Sequence, residues 1–474
     1  VLHFEYLLHV HAFLCDLTYS MMRTTVTFYT LGCRANQYDT EMLKEQIRED
    51  DRYRIIDFTK DADVYVINTC SVTQGADSKS RKYIRRAVRA GGIVLVTGCY
   101  VTLDVDKIEE IDGVDVIFSN AYKRSFGRIL AQSLRGFRGV VSNDDLVDWD
   151  IGLERISRDS VHTRGFLKVQ DGCSNNCSFC KVRLLRGPVR SKPVTEAVEE
   201  AKSLGKNGYN EVVLTGVNLA EYRSKGNALV ELVTELDELE DISRIRLSSI
   251  NPEGVTNELV EVFRESHKTC PHFHIPLQSG SNRILKSMSR GYTAEYYLKK
   301  IELLRNSLQN VTFGTDIMVG FPGETDRDVR ETEKILREVG YINVHVFRYS
   351  PRLHTHAWEY DDDVQYSDKK ERSDSLRSLA SSISLDVRRD YRGKQLEMIV
   401  EEKSSRVNGW RGYSKNYLDL HLRSDQCNSD LSPGKVKSVE VLNVHDNYCE
   451  ATAGDTSYAD KVVLTPVGER KSRS

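Results

Sequence analysis

Two hydrophobic periods alternate along the chain. After Thr25, the β-rich run Val26-Thr27-Phe28-Tyr29-Thr30-Leu31 gives way to a helical period over 39–47. Apolar runs follow at 64–67, 93–96 and 114–118, with a helical stretch over 77–90. Continuous apolar strands joined by helical crossovers predict a doubly wound parallel sheet, covered on both faces. A second alternation has strand-like runs at 166–169, 212–214, 245–248, 273–276, 315–319 and 344–347. Helical stretches over 194–206, 227–238, 255–266, 281–304 and 325–339 separate them. Six such units predict a partial (β/α)6 barrel of the TIM type, two units short of closure and open on one side to a large substrate. Beyond Arg392-Gly393 the helices stop. Residues 397–401, 417–422 and 437–444 alternate apolar and polar, with Gly-rich turns expected at 409–412 and at Pro433-Gly434. That pattern predicts a small antiparallel β-barrel. The fold class is therefore α/β, closed by an all-β module.

Composition narrows the class of molecule. The 474 residues are 39% hydrophobic and 29% charged. This is the balance of a globular chain of about three domains, and it excludes collagen-like and disordered chains. No run reaches the ~18 apolar residues of a membrane span, so no membrane association is expected. A formal charge of −3 means that any anion-binding surface must be local. Residues 1–20 lack a basic start and carry Glu5 and Asp16, which makes a poor signal peptide. They contain no Arg and read as an over-extended gene start, with Met21 or Met22 as initiator. Residues 137–160 form a polar connector rich in Asp (Asn143, Asp144, Asp145, Asp148, Asp150). The expected domains are 24–136, 159–389 and 391–466.

The ten cysteines carry the chemistry. Cys33, Cys70 and Cys99 each follow an apolar strand at its carboxyl end, where open parallel sheets bind ligands. Three unrelated buried thiols are the bland alternative, and the repeated placement argues against it. Cys173, Cys177 and Cys180 form a C-x3-C-x2-C triplet directly after the first barrel strand, at the catalytic face. Three local thiolates leave one iron of a 4Fe–4S cubane open to substrate. A structural zinc site is the rival, but zinc wants four ligands, and the next histidines, His272 and His274, are distant.

The triplet, with Phe179 before its last Cys, resembles the radical S-adenosylmethionine superfamily. The resemblance extends to Thr30-Leu-Gly-Cys33-Arg-Ala-Asn-Gln, Asn68-Thr-Cys70-Ser-Val-Thr, Gly98-Cys99, Val169-Gln-Asp-Gly-Cys173, His274-Ile-Pro-Leu-Gln-Ser-Gly280 and Val319-Gly-Phe-Pro-Gly-Glu324, which are similar to methylthiotransferases. Gly409-Trp-Arg-Gly-Tyr413 ahead of Tyr417 is similar to their TRAM module. Together these cover about residues 25–466.

The resemblance implies two 4Fe–4S clusters, one on the catalytic Cys173, Cys177 and Cys180 and one on Cys33, Cys70 and Cys99. It implies S-adenosylmethionine as both radical source and methyl donor, with Gly320, Gly323 and Gln278 as cofactor-binding residues. It implies a tRNA anticodon loop as substrate, an external electron donor of flavodoxin or ferredoxin type, a sulfur donor and a cytoplasmic location. Asn36-Gln37-Tyr38, residues 76–81 and Leu214-Thr-Gly-Val217 favour the branch acting at C2 of threonylcarbamoyladenosine, at position 37 of tRNA. The branches acting on isopentenyladenosine, or on an aspartate of a ribosomal protein, are the alternatives within the family. A non-catalytic iron–sulfur protein that binds RNA or transfers electrons is the alternative outside it.

Two departures stand out. Lys181-Val182-Arg183 replaces the usual Ile-Pro-Tyr, and Asn251 replaces an expected Glu. Lys79, Arg81, Lys82, Arg85, Arg86 and Arg89 crowd one helix without an acidic neighbour from 78 to 90, either as a solvated face or as a phosphate-tracking surface. Arg183, Arg186 and Arg190 flank the triplet loop, and Arg186 resembles a family position. Cys15, Cys270, Cys427 and Cys449 have no partners and read as bystanders.

Overall fold

The computed structural model describes residues 23–58, 61–141, 151–159, 162–423 and 431–454. Residues 1–20 with Cys15, the acidic run 143–150, Cys427 and the stretch 455–466 lie outside the described residues.

The first layer is a six-stranded parallel sheet. Its order is Tyr53–Ile56, Thr24–Thr30, Val64–Thr69, Ile93–Gly98, Val116–Phe118, Gly139–Val141. The continuous apolar runs have a direct reason. Val64 and Val66 pack into one core, whereas Tyr65 and Ile67 face a second core on the other side. Successive side chains point to opposite faces, so a strand covered on both sides is apolar throughout.

The barrel half has the six expected strands. Gly165–Lys168, Glu211–Thr215 and Arg244–Leu247 form one parallel sheet, and His272–His274, Thr312–Val319 and Asn343–Arg348 form another. The parallel bridges Ile245–Thr269 and Ser249–His274 join the two into one incomplete wall. The C-terminal strands close into a barrel of five, in the order Gln395–Lys403, Gly409–Ser414, Asp419–Arg423, Cys449–Ala453, Val436–Val444.

Several expectations need correction. The stretch 409–412, expected as a turn, is strand. Its glycines are demanded by close packing instead, because a Cβ at Gly412 would fall 1.9 Å from the Ile399 carbonyl oxygen and one at Gly409 1.9 Å from that of Leu422. The first residues of the expected connector form the sixth strand of the first sheet, Gly139–Val141. The helix expected over 281–304 is two, Asn282–Ser287 and Ala294–Ser307. Helix Arg34–Arg48 begins five residues earlier than the apolar period indicated. Strands Tyr53–Ile56 and Cys449–Ala453 and the long helix Tyr366–Arg389 were not expected, and Cys449–Ala453 pairs parallel with Asp419–Arg423 in a barrel expected to be antiparallel.

The C-terminal barrel closes the floor of the central one, where the strands begin. Arg246 Nη2 and Nη1 donate to the Ser414 and Lys415 carbonyls (3.1 and 2.9 Å), and Thr312 Oγ1 donates to that of Asn416. The Tyr417 ring stacks on His272 with centroids 4.6 Å apart. Arg34, at the start of the first long helix, reaches the Tyr417 hydroxyl at 3.2 Å. One phenol thus joins all three layers.

Candidate active site

Neighbouring strand ends assemble the first trio. Cys33 caps helix Arg34–Arg48, Cys70 follows strand Val64–Thr69, and Cys99 opens helix Cys99–Leu103. Consecutive parallel strands lie about 4.8 Å apart, so three chain-distant thiols converge and act electrostatically on one another. Gly98 makes the approach possible. It has φ +101°, and a Cβ there would sit 2.4 Å from the Thr69 carbonyl oxygen. Cys33 is exposed, and Cys70 and Cys99 are buried. Burial pushes the Cys70 thiol up to about 12 and raises Cys99 as well.

The second trio is local. Its loop is pinned by the Ser178 amide on the Met288 carbonyl (3.0 Å), Ser178 Oγ on the Ser287 carbonyl (2.9 Å) and the Ala357 amide on the Ser178 carbonyl (2.7 Å). Burial, then the Glu221 carboxylate, pushes Cys173 up to about 12, and burial pushes Cys180 up to about 11. Arg290 Nη1 donates to the Cys177 sulfur at 3.1 Å, and Arg290 Nη2 donates to Asn251 Oδ1 at 3.1 Å. The departure at Asn251 therefore sits one contact from a triplet sulfur. Phe179 meets Phe321 edge-on at 6.5 Å, which sets the cysteine loop against the Gly320–Gly323 turn.

The donor sets fit iron–sulfur clusters. All eight described cysteines are free. Thiols held this high stay protonated near neutral pH until a cationic metal makes them ligands. Cys270 and Cys449 are buried apart from both trios, Cys449 within the C-terminal barrel core.

Between the trios lies a buried ionic network. Arg186 Nη1 meets Asp171 Oδ2 at 2.9 Å, and Arg186 Nη2 meets Asn36 Oδ1 at 2.6 Å and Asp39 Oδ2 at 3.1 Å. Lys123 and Lys168 also bind Asp39, and Lys168 binds Glu154. Burial alone would raise Asp39, but Lys123, Lys168 and Arg186 hold it well below the usual carboxylate range. Arg186, of uncertain role in the sequence, is thus a strut from the triplet loop to the helix that Cys33 caps. The Asp39 network and Arg290 left no sequence signal. Their partners lie 84, 129, 147 and 113 residues away.

The other candidates fall as follows. Gly320 and Gly323 both have positive φ (+69° and +75°), and their amides donate to Glu324 and Asp363. Gln278, at φ +69°, is bridged to the middle of strand Thr312–Val319. Lys181 is buried, and burial lowers its pKa. On helix Gln74–Ala90, Ile84 and Ala87 face the core. Lys79, Lys82, Arg85 and Arg89 are exposed and make no ion pair among the described residues. Arg81 turns back to donate to the Tyr100 hydroxyl, and Arg86 lies over Phe58. Arg352 ties this helix to the barrel by binding Asp77 at 2.8 Å and the Ser71 carbonyl at 2.8 Å. No helix among the described residues is long and apolar enough to cross a membrane.

Comparisons with known proteins agree with this geometry. The Radical SAM superfamily matches residues 167–336, and the Uncharacterized protein family UPF0004 matches 25–119. The threonylcarbamoyladenosine tRNA methylthiotransferase of Bacillus subtilis is 36% identical over 90% of this chain and 95% of its own. That of Aquifex aeolicus is 37% identical over 83% and 96%. The tRNA-2-methylthio-N(6)-dimethylallyladenosine synthase of Finegoldia magna is 30% identical over 94% and 92%. Among solved structures, the radical S-adenosylmethionine methyltransferase TsrM of Kitasatospora setae, with cobalamin and a [4Fe-4S] cluster, superposes with a TM-score of 0.56 at 14% identity. The match covers 71% of this chain and 77% of that one, and it shows the fold alone.

Proposed function

Because the chain belongs to the methylthiotransferase family of radical S-adenosylmethionine enzymes, we propose that it inserts a methylthio group at C2 of N6-threonylcarbamoyladenosine at position 37 of tRNA. The observation that carries the chemistry is the pairing of two cysteine trios across one buried strut, Arg186. When bound, the clusters and S-adenosylmethionine supply the radical that attacks the unactivated C2–H bond and the sulfur and methyl group that replace its hydrogen.

The chain's own residues hold and orient these groups. Cys173, Cys177 and Cys180 ligate the radical cluster, and Cys33, Cys70 and Cys99 ligate the other. The Arg290 guanidinium, donating to Cys177, stabilises thiolate charge. The turn at Gly320 and Gly323, with Gln278 beside it, contacts S-adenosylmethionine. The exposed cations of helix Gln74–Ala90 track phosphates of the anticodon stem, and the helix starts four residues past Cys70. A flavodoxin- or ferredoxin-type protein supplies electrons, a separate donor supplies sulfur, and the enzyme works in the cytoplasm.

Two observations support this nucleoside over the isopentenyl one. Identity is higher with the relatives that act on it. The barrel interior also offers the Arg34 guanidinium near His272 and His345, a cation that suits a carboxylate-bearing substituent better than an isoprenoid. The test is the nucleoside profile of a deletion strain. We expect 2-methylthio-N6-threonylcarbamoyladenosine to vanish and to return with the gene. Loss of the isopentenyl product instead, or of a modified ribosomal protein, overturns the assignment.

A further inference from the structure

Three consecutive parallel strands of the central barrel each present one metal-ligating side chain. His274 ends strand His272–His274, Asp316 lies in Thr312–Val319, and His345 lies in Asn343–Arg348. Asp316 pairs with His345, and Gly314, two residues earlier, pairs with His274. All three therefore fall on one face. The intervening Phe273, Ile317 and Val346 are buried in the main core, and Phe273 packs on Phe263 of helix Asn257–Glu265. The period of two turns His274, Asp316 and His345 to the opposite, inner face. Their ligand atoms all lie within 4.8 Å of one another. His274 Nε2 is 3.4 Å from Asp316 Oδ1. That is about the separation of two donors sharing an ion at bond lengths of ~2.0–2.2 Å.

Two further observations point to a cation. Ser249 Oγ hydrogen-bonds His274 Nδ1 at 3.0 Å. This fixes the ring and leaves Nε2 aimed at Asp316, the way metal-bound imidazoles are oriented through their other nitrogen. The Asp316 side chain is 25% exposed, and its ion-pair partner is His274, with no Lys or Arg on it among the described residues. That carboxylate has an imidazole and no ammonium or guanidinium within ion-pair distance among the described residues, which leaves a position for a cation beside it.

We propose that His274, Asp316 and His345 hold one divalent first-row transition-metal ion, with its open coordination positions facing the barrel interior. Two imidazoles and one carboxylate are a donor set for such ions, and an oxygen donor or water completes the sphere. The site is separate from the six cluster cysteines and does not depend on which nucleoside is the substrate.

The full chain carrying both clusters is equilibrated anaerobically with zinc chloride and desalted, and its zinc and iron are counted together by elemental mass spectrometry. The unaltered chain is expected to keep about one zinc more per chain than Asp316→Asn or His345→Ala, with equal iron in all three. His267→Ala, at an exposed histidine outside the barrel interior, is expected to match the unaltered chain. Equal zinc in the unaltered chain and both variants overturns the proposal. So does zinc gained only as iron is lost, which places it on the cysteines. If a variant loses iron through misfolding, manganese(II) titrated into the unaltered chain and followed by EPR decides the matter. One tight site is expected, and no tight site overturns the proposal.

Discussion

The two cysteine trios reach the same donor set by opposite routes. Cys173, Cys177 and Cys180 lie within eight residues on one loop, held in place by main-chain contacts to Met288 and Ala357. Cys33, Cys70 and Cys99 come from three strand ends and exist as a group only once the parallel sheet has formed. The local trio is written in spacing and the distributed trio in topology. The distributed site is therefore as stable as the sheet that makes it, whereas the local loop has little chain entropy to lose on closing around a cluster.

The largest effect comes from breaking each trio in turn. Replacing Cys173, Cys177 and Cys180 with Ala should remove about half of the iron and abolish S-adenosylmethionine cleavage. Replacing Cys33, Cys70 and Cys99 should remove the other half yet leave cleavage measurable as 5′-deoxyadenosine, with no methylthio product. Iron counts and product chromatography on both variants check this. If the second variant also stops cleaving, the trios are not independent and the comparison fails.

The strut between them is the next test. Arg186 is 3% exposed and binds Asp171 on one side and Asp39 on the other. Removing one partner of a buried ionic network strands the rest, at about 3–5 kcal/mol. Arg186→Met should therefore lower the melting temperature of the whole chain. The distributed trio should lose iron first, because Asn36 and Asp39, which grip Arg186, lie on the helix that Cys33 caps. Equal iron loss from both trios would show that the strut supports the fold in general and not one site.

Arg290 sharpens the comparison from the local side. Its guanidinium donates to Cys177 and touches nothing in the distributed trio. Groups that orient metal ligands typically cost about 10- to 100-fold in activity when removed. Arg290→Gln should slow S-adenosylmethionine cleavage by that order while leaving total iron and the melting temperature near those of the unaltered chain.

How much of this was legible in the sequence follows the same division. The core of the first sheet could be read because strands buried on both faces must be apolar throughout, and the six barrel strands could be read from the apolar positions they send into the main core. The strands of the first sheet that were missed are edge pieces of four and three residues, Tyr53–Ile56 and Gly139–Val141, too short and too mixed to carry a period. Gly409 and Gly412 looked like turn residues. Their small size serves close approach across a tight barrel, a need that only the partner strands reveal. All six candidate ligands could be named from spacing, strand position and resemblance. The groups that tune them could not, since Arg290, Asp39, Lys123 and Lys168 meet their partners across long loops and carry no local pattern.

The smallest expected effect tests what lies beside the distributed trio. Helix Gln74–Ala90 begins just past Cys70, and the Ser80 hydroxyl donates to the Cys70 carbonyl at 2.9 Å, so the helix is fastened to the trio. Lys82, Arg85 and Arg89 project outward with no carboxylate to neutralise them among the described residues. Asp77, the one acid of the helix, is already committed to Arg352. A face of this kind is either plain solvated surface or a phosphate track. Salt distinguishes the two, because each neutralised phosphate contributes about 0.7–0.9 to the slope of log affinity against log salt. Changing the three residues to Ala should weaken tRNA binding and lower that slope by about 2, with iron content and S-adenosylmethionine cleavage unchanged. An unchanged slope would leave the helix as scaffold for Cys70 alone, and the RNA footprint would then belong to the side of the molecule that carries the local trio.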